Sequence, residues 1–419
     1  MTSNNIFSGL KVLDLASFIA GPAATTVLSD FGAEVIKIEP PGMGDPYRFF
    51  YKTAPNPTTH ENYAWHLTNR NKRGMALDLK SPSAAIILER LVKWADVLVT
   101  NFPHPVRKKL KLTFEDVGPW NPRLIYADIT GYGDHGPDAD LPGFDITAYW
   151  ARSGLMAMTR DAGGAPTLPI PGIGDHATAI SLYSAIVTAL YRRERTGAGS
   201  YVTTSLVAEG AWAAATWIQG ALCGAKFFPL HDRMAPPNPV LNPYQTADDR
   251  WFLLVVQEKD WATFAQTIGH SELVLDERFN DGVKRSVNSP TLTAILDATF
   301  RSQSLAYWRE IFDHSHITYG IVQTPSEVID DPQLLANDII VPIQGGDEHL
   351  RATVSSPMKM HGVSKEPATR APELGEHNQE VLRELGFDLE EVETFKASGV
   401  IPNVKHSETG STQGEQRLA

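Results

Sequence analysis

The chain of 419 residues holds a single cysteine, Cys223. An intrachain disulfide is therefore excluded, and a metal cluster built on thiolates lacks its ligands. Ala221, Leu222 and Gly224 surround Cys223 in sequence, which reads as a packed core thiol rather than a reactive one. An excess of positive charge is also lacking. Lys and Arg number 37 against 49 Asp and Glu, for a formal net charge of −12. That balance argues against nucleic-acid and membrane-surface binding, which need a basic face. Long hydrophobic runs are missing too. The most apolar stretch, Ala177 to Tyr191, is interrupted by Thr and Ser and falls short of the about 20 residues that span a bilayer. Met1 to Asn5 is polar, with no basic-then-apolar segment behind it, so the expectation is a soluble, cytoplasmic protein.

Several chemistries are missing as well. No G-x-G-x-x-G follows the first predicted strand, which speaks against a nicotinamide or flavin enzyme. Phosphate-cradling P-loops and serine-hydrolase elbows are absent. Asp134, His135, Asp138 and Asp140 lack helical ligand spacing and read as a polar loop, so no metal is expected.

What is present is ordinary for a folded enzyme, with 42% hydrophobic and 21% charged residues. The length predicts two or three domain-sized units. The start reads as β-α-β: a strand over Leu10–Leu15, a helix over Ala23–Asp30 with Pro22 in its first turn and Gly32 ending it, then a strand over Glu34–Glu39. Met75–Leu79, Asp96–Thr100 and Leu124–Ile129 continue as strands, with a helix over Ala84–Lys93. This alternation predicts an α/β protein with a Rossmann-like open parallel sheet. Ala177–Gly224 reads as two buried helices around a short strand, Ser200–Ser205. A Pro- and Asn-rich segment, Met234–Pro243, reads as a linker or active-site loop. Trp251–Val256 reads as a strand and Thr291–Phe312 as mostly helical. The expected layout is a large domain begun by 1–223, a smaller α+β domain over 224–332, a return to the large domain over 333–405, and a polar, disordered tail over 406–419.

Local positive charge stands out against the acidic whole. Arg70, Lys72 and Arg73 share one turn; Arg107, Lys108, Lys109 and Lys111 follow the strand ending at Thr100. Ligands of open α/β sheets sit outside the carboxyl ends of the strands, so both clusters are candidates to converge on phosphates, with a solvated surface as the alternative. Asp175 lies in Gly172-Ile-Gly-Asp-His176, opening a predicted helix. Two readings stand. It is a helix N-cap, or it is a carboxylate nucleophile kept ionised by the helix terminus, with glycines that let a bulky thioester approach. His176 reads as a packed or solvent-bonded histidine rather than a base.

Taken in order along the chain, these segments resemble the class III CoA-transferase family, which includes formyl-CoA:oxalate and carnitine CoA-transferases. The likeness rests on Gly9-Leu-Lys-Val-Leu-Asp-Leu15, Ala20-Gly21-Pro22, and Asp30-Phe-Gly-Ala-Glu-Val-Ile-Lys-Ile-Glu-Pro-Pro-Gly42 with Gly44-Asp45-Pro46. It continues through Asn71-Lys-Arg73, Asn101-Phe102, Gly131-Tyr-Gly133, Gly174-Asp175, Thr196-Gly197-Ala198-Gly199 and Gly375-Glu376-His377. The resemblance implies a Rossmann-like large domain built from both chain ends, a smaller middle domain, and an interlocked homodimer. It implies an enzyme with no permanently bound cofactor, whose substrates are a coenzyme A thioester and a carboxylic acid. Asp175 takes the place of the family's nucleophile, which passes through an aspartyl-CoA thioester. Ser17, Ala20, Lys72, Arg73, Asn101, Phe102, Arg107 and Lys109 fall at or near coenzyme A contacts. Pro40–Pro41 and Thr130 depart from an arginine and a lysine found in formyl-CoA transferase, and that enzyme's tetraglycine loop is missing. Succinyl-CoA as donor with a small dicarboxylate acceptor is the first expectation. Trp150, Trp212 and Trp217 are candidates for an acyl pocket or for core. The alternatives are an α-methylacyl-CoA racemase-like isomerase, which shares the aspartate, and a noncatalytic CoA-binding subunit. The racemase branch uses a histidine before an aspartate; here the segment is Gly143-Phe144-Asp145.

Overall fold

Six short strands carry the large unit, and their apolar runs dictate it. The computed structural model describes residues 5–402; the tail expected over 406–419 lies outside them. β1 (Lys11–Asp14), β2 (Glu34–Glu39), β3 (Arg73–Ala76), β4 (Val97–Thr100), β5 (Ile125–Thr130) and β6 (Ser200–Ser205) pair in parallel, in the order β3-β2-β1-β4-β5-β6. This is the doubly wound arrangement, and the direction of winding reverses between β1 and β4. Val12, Leu13, Ile36, Val97 to Val99 and Ile125 to Ala127 are almost fully buried, as parallel strands covered on both faces must be. The Ala20–Asp30 helix is buried along its whole length and packs against the long Ile173–Thr196 helix. Gly32, at φ +93°, ends it in the left-handed conformation glycine tolerates.

The chain divides into two units. One comprises 5–154, 169–214 and 336–402; the other comprises 155–168 and 215–335. The last part of the chain returns to the large unit's core. Val381, Leu382, Phe387 and Phe395 pack with Leu13, Leu98 and Leu91, and the Asp78 N–H donates to the Val400 carbonyl at 2.9 Å. The second unit has its own antiparallel sheet, β7 (Leu241–Gln245), β8 (Trp251–Val255) and β9 (Thr318–Ile321), in sequence order. Its core centres on Tyr244, Phe252, Phe300 and Phe312. The stretch expected to be mostly helical, Thr291–Phe312, falls in two helices, Ser289–Phe300 and Leu305–Ser315, and Ser304 caps the second with its hydroxyl accepting from the Tyr307 N–H.

Two expectations are corrected. The helices Leu206–Ala213 and Ala215–Leu222 are not fully buried: the first buries Leu206 and Gly210 and the second no residue, Trp212 is 77% exposed, and Trp217 and Leu222 are also exposed. Cys223, expected in the core, is exposed. In both cases apolar composition indicates that a surface is to be covered. It does not say that the same chain covers it.

Candidate active site

The site grows from the loops at the carboxyl ends of β1, β4 and β5. At the winding reversal, Ser17 after β1 and Asn101 after β4 exchange two hydrogen bonds. The Ser17 N–H donates to Asn101 Oδ1 at 2.8 Å, and Asn101 Nδ2 donates to the Ser17 carbonyl at 2.7 Å. Ala20, buried, opens the following helix. Beside this clasp lies a cleft of ≈ 240 Å³, lined by Asn101, Phe102, Arg107, Thr130, Gly143 and Tyr201 among others. It sits where open α/β sheets take ligands.

The two basic clusters do not converge. Arg107 lines the cleft, but its guanidinium is buried and pairs with Asp128, close to the Tyr126 hydroxyl at 3.4 Å. Its Nε finds no hydrogen-bond partner among the described residues. Lys108, Lys109 and Lys111 are exposed and make no ion pair among the described residues. Lys72 is turned inward. Its ammonium is fully buried, 2.9 Å from Asp14 Oδ2, and also donates to the Pro22 and Thr68 carbonyls and to Asn69 Oδ1. Arg73 serves the amino end of the sheet, bound to Glu34, Glu380 and Glu384. Lys72 and Arg73, expected to offer their charges to phosphates, are thus both paired with carboxylates of this same chain. Burial alone would push the Asp14 carboxyl up, but Lys37 and Lys72 outweigh it and hold it low.

Asp175 is placed differently from a cap. Gly172, at φ +89°, is the N-cap of the Ile173–Thr196 helix, and no side chain caps it. Asp175 is the third helical residue. An acid there ordinarily reaches back to the N-cap N–H. Here the Gly172 N–H donates instead to Asp145 Oδ2 at 2.8 Å. Among the described residues nothing donates to the Asp175 carboxylate. Gly174 is required by Tyr149, whose Cγ would lie 2.5 Å from a Cβ at that position. His176 is exposed, and its ring makes no hydrogen bond among the described residues.

The electrostatics also run against expectation. Burial, followed by the charge of Asp145, pushes the Asp175 carboxyl up to about 7. The helix terminus does not keep it strongly acidic, because desolvation outweighs that field. A carboxyl poised near neutrality and free of partners in a partly buried site is what a group needs if it is to attack, or carry, an acyl centre.

The comparisons with known proteins follow the same lines. The model of CoA-transferase family III matches residues 7–378. The chain belongs to this family. It is 35% identical to a cinnamoyl-CoA:phenyllactate CoA-transferase of Clostridium sporogenes, over 94% of this chain and 97% of that protein. It is 32% identical to an (R)-2-hydroxy-4-methylpentanoate CoA-transferase of Clostridioides difficile, over 94% and 99%. A CAIB/BAIF family protein from Brucella suis has a solved structure that superposes with a TM-score of 0.81 at 27% identity, covering 91% of this chain and all of that one. The protein is therefore a CoA-transferase-family enzyme, and its substrates include CoA thioesters.

Sequence reasoning did not single out Asp45, Lys37, Asp14 or Tyr47. Asp45 Oδ1 accepts from the Phe18 and Tyr47 N–H groups at 3.2 and 3.0 Å, while Lys37, fully buried, holds Oδ2 at 3.1 Å. The signal was Lys37 and Glu39 alternating with apolar residues in one strand, followed by Gly44-Asp45-Pro46. A charge within a buried strand requires a partner, and the nearest acid beyond the turn supplies it.

Proposed function

We propose that the chain moves coenzyme A from an acyl-CoA to a carboxylic acid, with Asp175 as the covalent nucleophile. A carboxylate oxygen of Asp175 attacks the thioester carbon, the C–S bond breaks, and CoA thiolate leaves a mixed anhydride. The thiolate then attacks the aspartyl carbonyl, releasing the first acid and forming an aspartyl-CoA thioester. The acceptor carboxylate attacks that thioester and expels CoA thiolate, leaving a new mixed anhydride. The thiolate attacks the acceptor's acyl carbon and frees Asp175. No net proton is taken up or lost, and the thioester energy is conserved.

The carrying observation is the unpartnered, partly buried carboxylate of Asp175 in the first turn of a long helix. The clasped loops at Ser17 and Asn101, with Ala20, Phe102 and Arg107, support coenzyme A binding at the adjoining cleft. A cytoplasmic, interlocked homodimer is part of the same proposal; the exposed Trp212, Trp217, Leu222 and Phe228 favour a partner that covers them. To test the nucleophile, the enzyme is incubated with acyl-CoA, then hydroxylamine, and its peptides are mapped by mass. A hydroxamate at Asp175, absent in Asp175→Ala together with all turnover, is the expected result. An adduct on another carboxylate, or an alanine variant that still turns over, would overturn the proposal.

A further inference from the structure

Asp175 stands beside an aromatic wall that the chain takes pains to fix. One carboxylate, Asp45, binds the backbone N–H groups of both Phe18 and Tyr47, and Lys37 locks that carboxylate from the interior. Phe18 is held at φ +61°, a left-handed conformation that a bulky residue rarely adopts. Its ring lies 6.5 Å from Tyr47 and meets Phe144 edge-on at 6.1 Å. Phe144 is 56% exposed, although the next residue, Asp145, is buried and tied to Gly172 at the head of the Asp175 helix. Ile19 Cδ1 lies 3.1 Å from where a Cβ on Gly172 would stand. The Tyr47 hydroxyl makes no hydrogen bond among the described residues, and after burial the charge of Asp175 is the leading influence raising it.

Charge completes the picture. The one charge acting on Asp175 among the described residues is Asp145, which is also negative. A substrate with a second carboxylate would bring a third negative charge into this half-buried place, where among the described residues no cation pairs with Asp175. An apolar group would instead cover Phe18 and Phe144 and exclude water from the anhydride.

Resting on the role proposed for Asp175, we infer that the acyl site takes monocarboxylic acids bearing an apolar group, an aryl group fitting best, and that Phe18, Tyr47 and Phe144 select it. Transfer from each donor, cinnamoyl-CoA and succinyl-CoA, to 3-phenylpropionate and to glutarate is measured by mass spectrometry. Phenylpropionate is expected to exceed glutarate in kcat/KM by about 100-fold, as a desolvated second charge requires. Phe144→Ala, at an exposed position that leaves the core intact, should raise KM for phenylpropionate about tenfold, more than it raises that for glutarate. Phe144→Arg should shift the ratio further toward glutarate. A wild-type preference for glutarate, or a ratio unmoved in both Phe144 variants, would overturn the inference. Asp175→Ala separates the two readings. If it abolishes transfer to both acids while glutarate is preferred, only the substrate class falls. If it leaves transfer intact, the nucleophile and the substrate class fall together.

Discussion

The Gly172 N–H donates to Asp145 Oδ2 at 2.8 Å, and that bond is what leaves Asp175 free. Without it, the carboxylate three residues on would turn back and cap its own helix. Asp145 therefore acts twice: it occupies the competing donor, and its charge adds to the burial that lifts Asp175 to about 7.

The pH profile follows from this. Asp175 must be ionised to attack, so kcat/KM for acyl-CoA should rise with pH through about 7. Asp145→Asn should move this limb to lower pH, though not to the ordinary carboxylate value, since burial is the larger cause. Stability carries the opposite sign. A carboxyl raised on folding contributes stability that is fully present below its ordinary value and lost as pH climbs through about 7. The stability of wild type relative to Asp175→Asn should thus fall between about pH 4 and pH 7, on the order of 1–2 kcal/mol after allowing for partial exposure. Urea unfolding across that range measures it. A difference that grows with pH would contradict the assignment.

Lys72 and Lys109 should separate cleanly. Lys72→Ala removes the nearer of the two cations paired with Asp14, leaving Lys37 at 3.9 Å and hydrogen bonds from the Thr25 hydroxyl and the Ala16 N–H, and should cost about 3 kcal/mol of folding stability. Lys109→Ala touches no internal partner and should leave the unfolding midpoint unmoved. If Lys109 reaches a phosphate, its loss should weaken acyl-CoA binding by about 1 kcal/mol and flatten the salt dependence. Calorimetric titration at two salt concentrations, beside thermal melts, gives both answers.

The contrast between these lysines marks what the sequence could tell. β2 and β6 were legible to the residue, because Glu34–Glu39 and Ser200–Ser205 are bounded by turns and glycines. The open parallel sheet followed from the alternation of strands and helices, though not the order of its strands. Asp175 was legible as a candidate because two glycines flank it at close range. The destiny of Lys72 was not. A cation beside Asn71 reads the same whether it faces solvent or Asp14, and only the fold brings residues 14 and 72 together. Exposure of Trp212 was hidden for a similar reason: periodicity marks an apolar face without naming what meets it.

Phe144 yields a test of reaction class. A ring without an ionisable group cannot carry a proton at the substrate's α-carbon. Incubation with a 2-methylacyl-CoA in heavy water should therefore introduce no deuterium at that carbon while CoA transfer proceeds. Exchange as fast as transfer would make the enzyme an isomerase.

Gly174 tests whether placement of Asp175, and not its mere presence, supports turnover. A methyl group at Gly174 would sit 2.5 Å from Tyr149 Cγ, 2.7 Å from Cβ and 2.8 Å from Cδ1, inside any permitted contact. The helix start or the ring must shift. The Thr178 hydroxyl, bonded to the Gly174 carbonyl at 2.7 Å, resists movement of the helix. Gly174→Ala should thus displace Asp175 and lower kcat by about 100-fold, the scale set by a misplacement of about 1 Å. Tyr149→Ala removes Cγ and Cδ1 and leaves Cβ, so the double variant should recover part of the lost rate. Its stability should also exceed the sum of the two single effects by roughly 1 kcal/mol or more, as contacting residues do. A Gly174→Ala enzyme that keeps wild-type kcat would show that the methyl group is absorbed without moving the carboxylate.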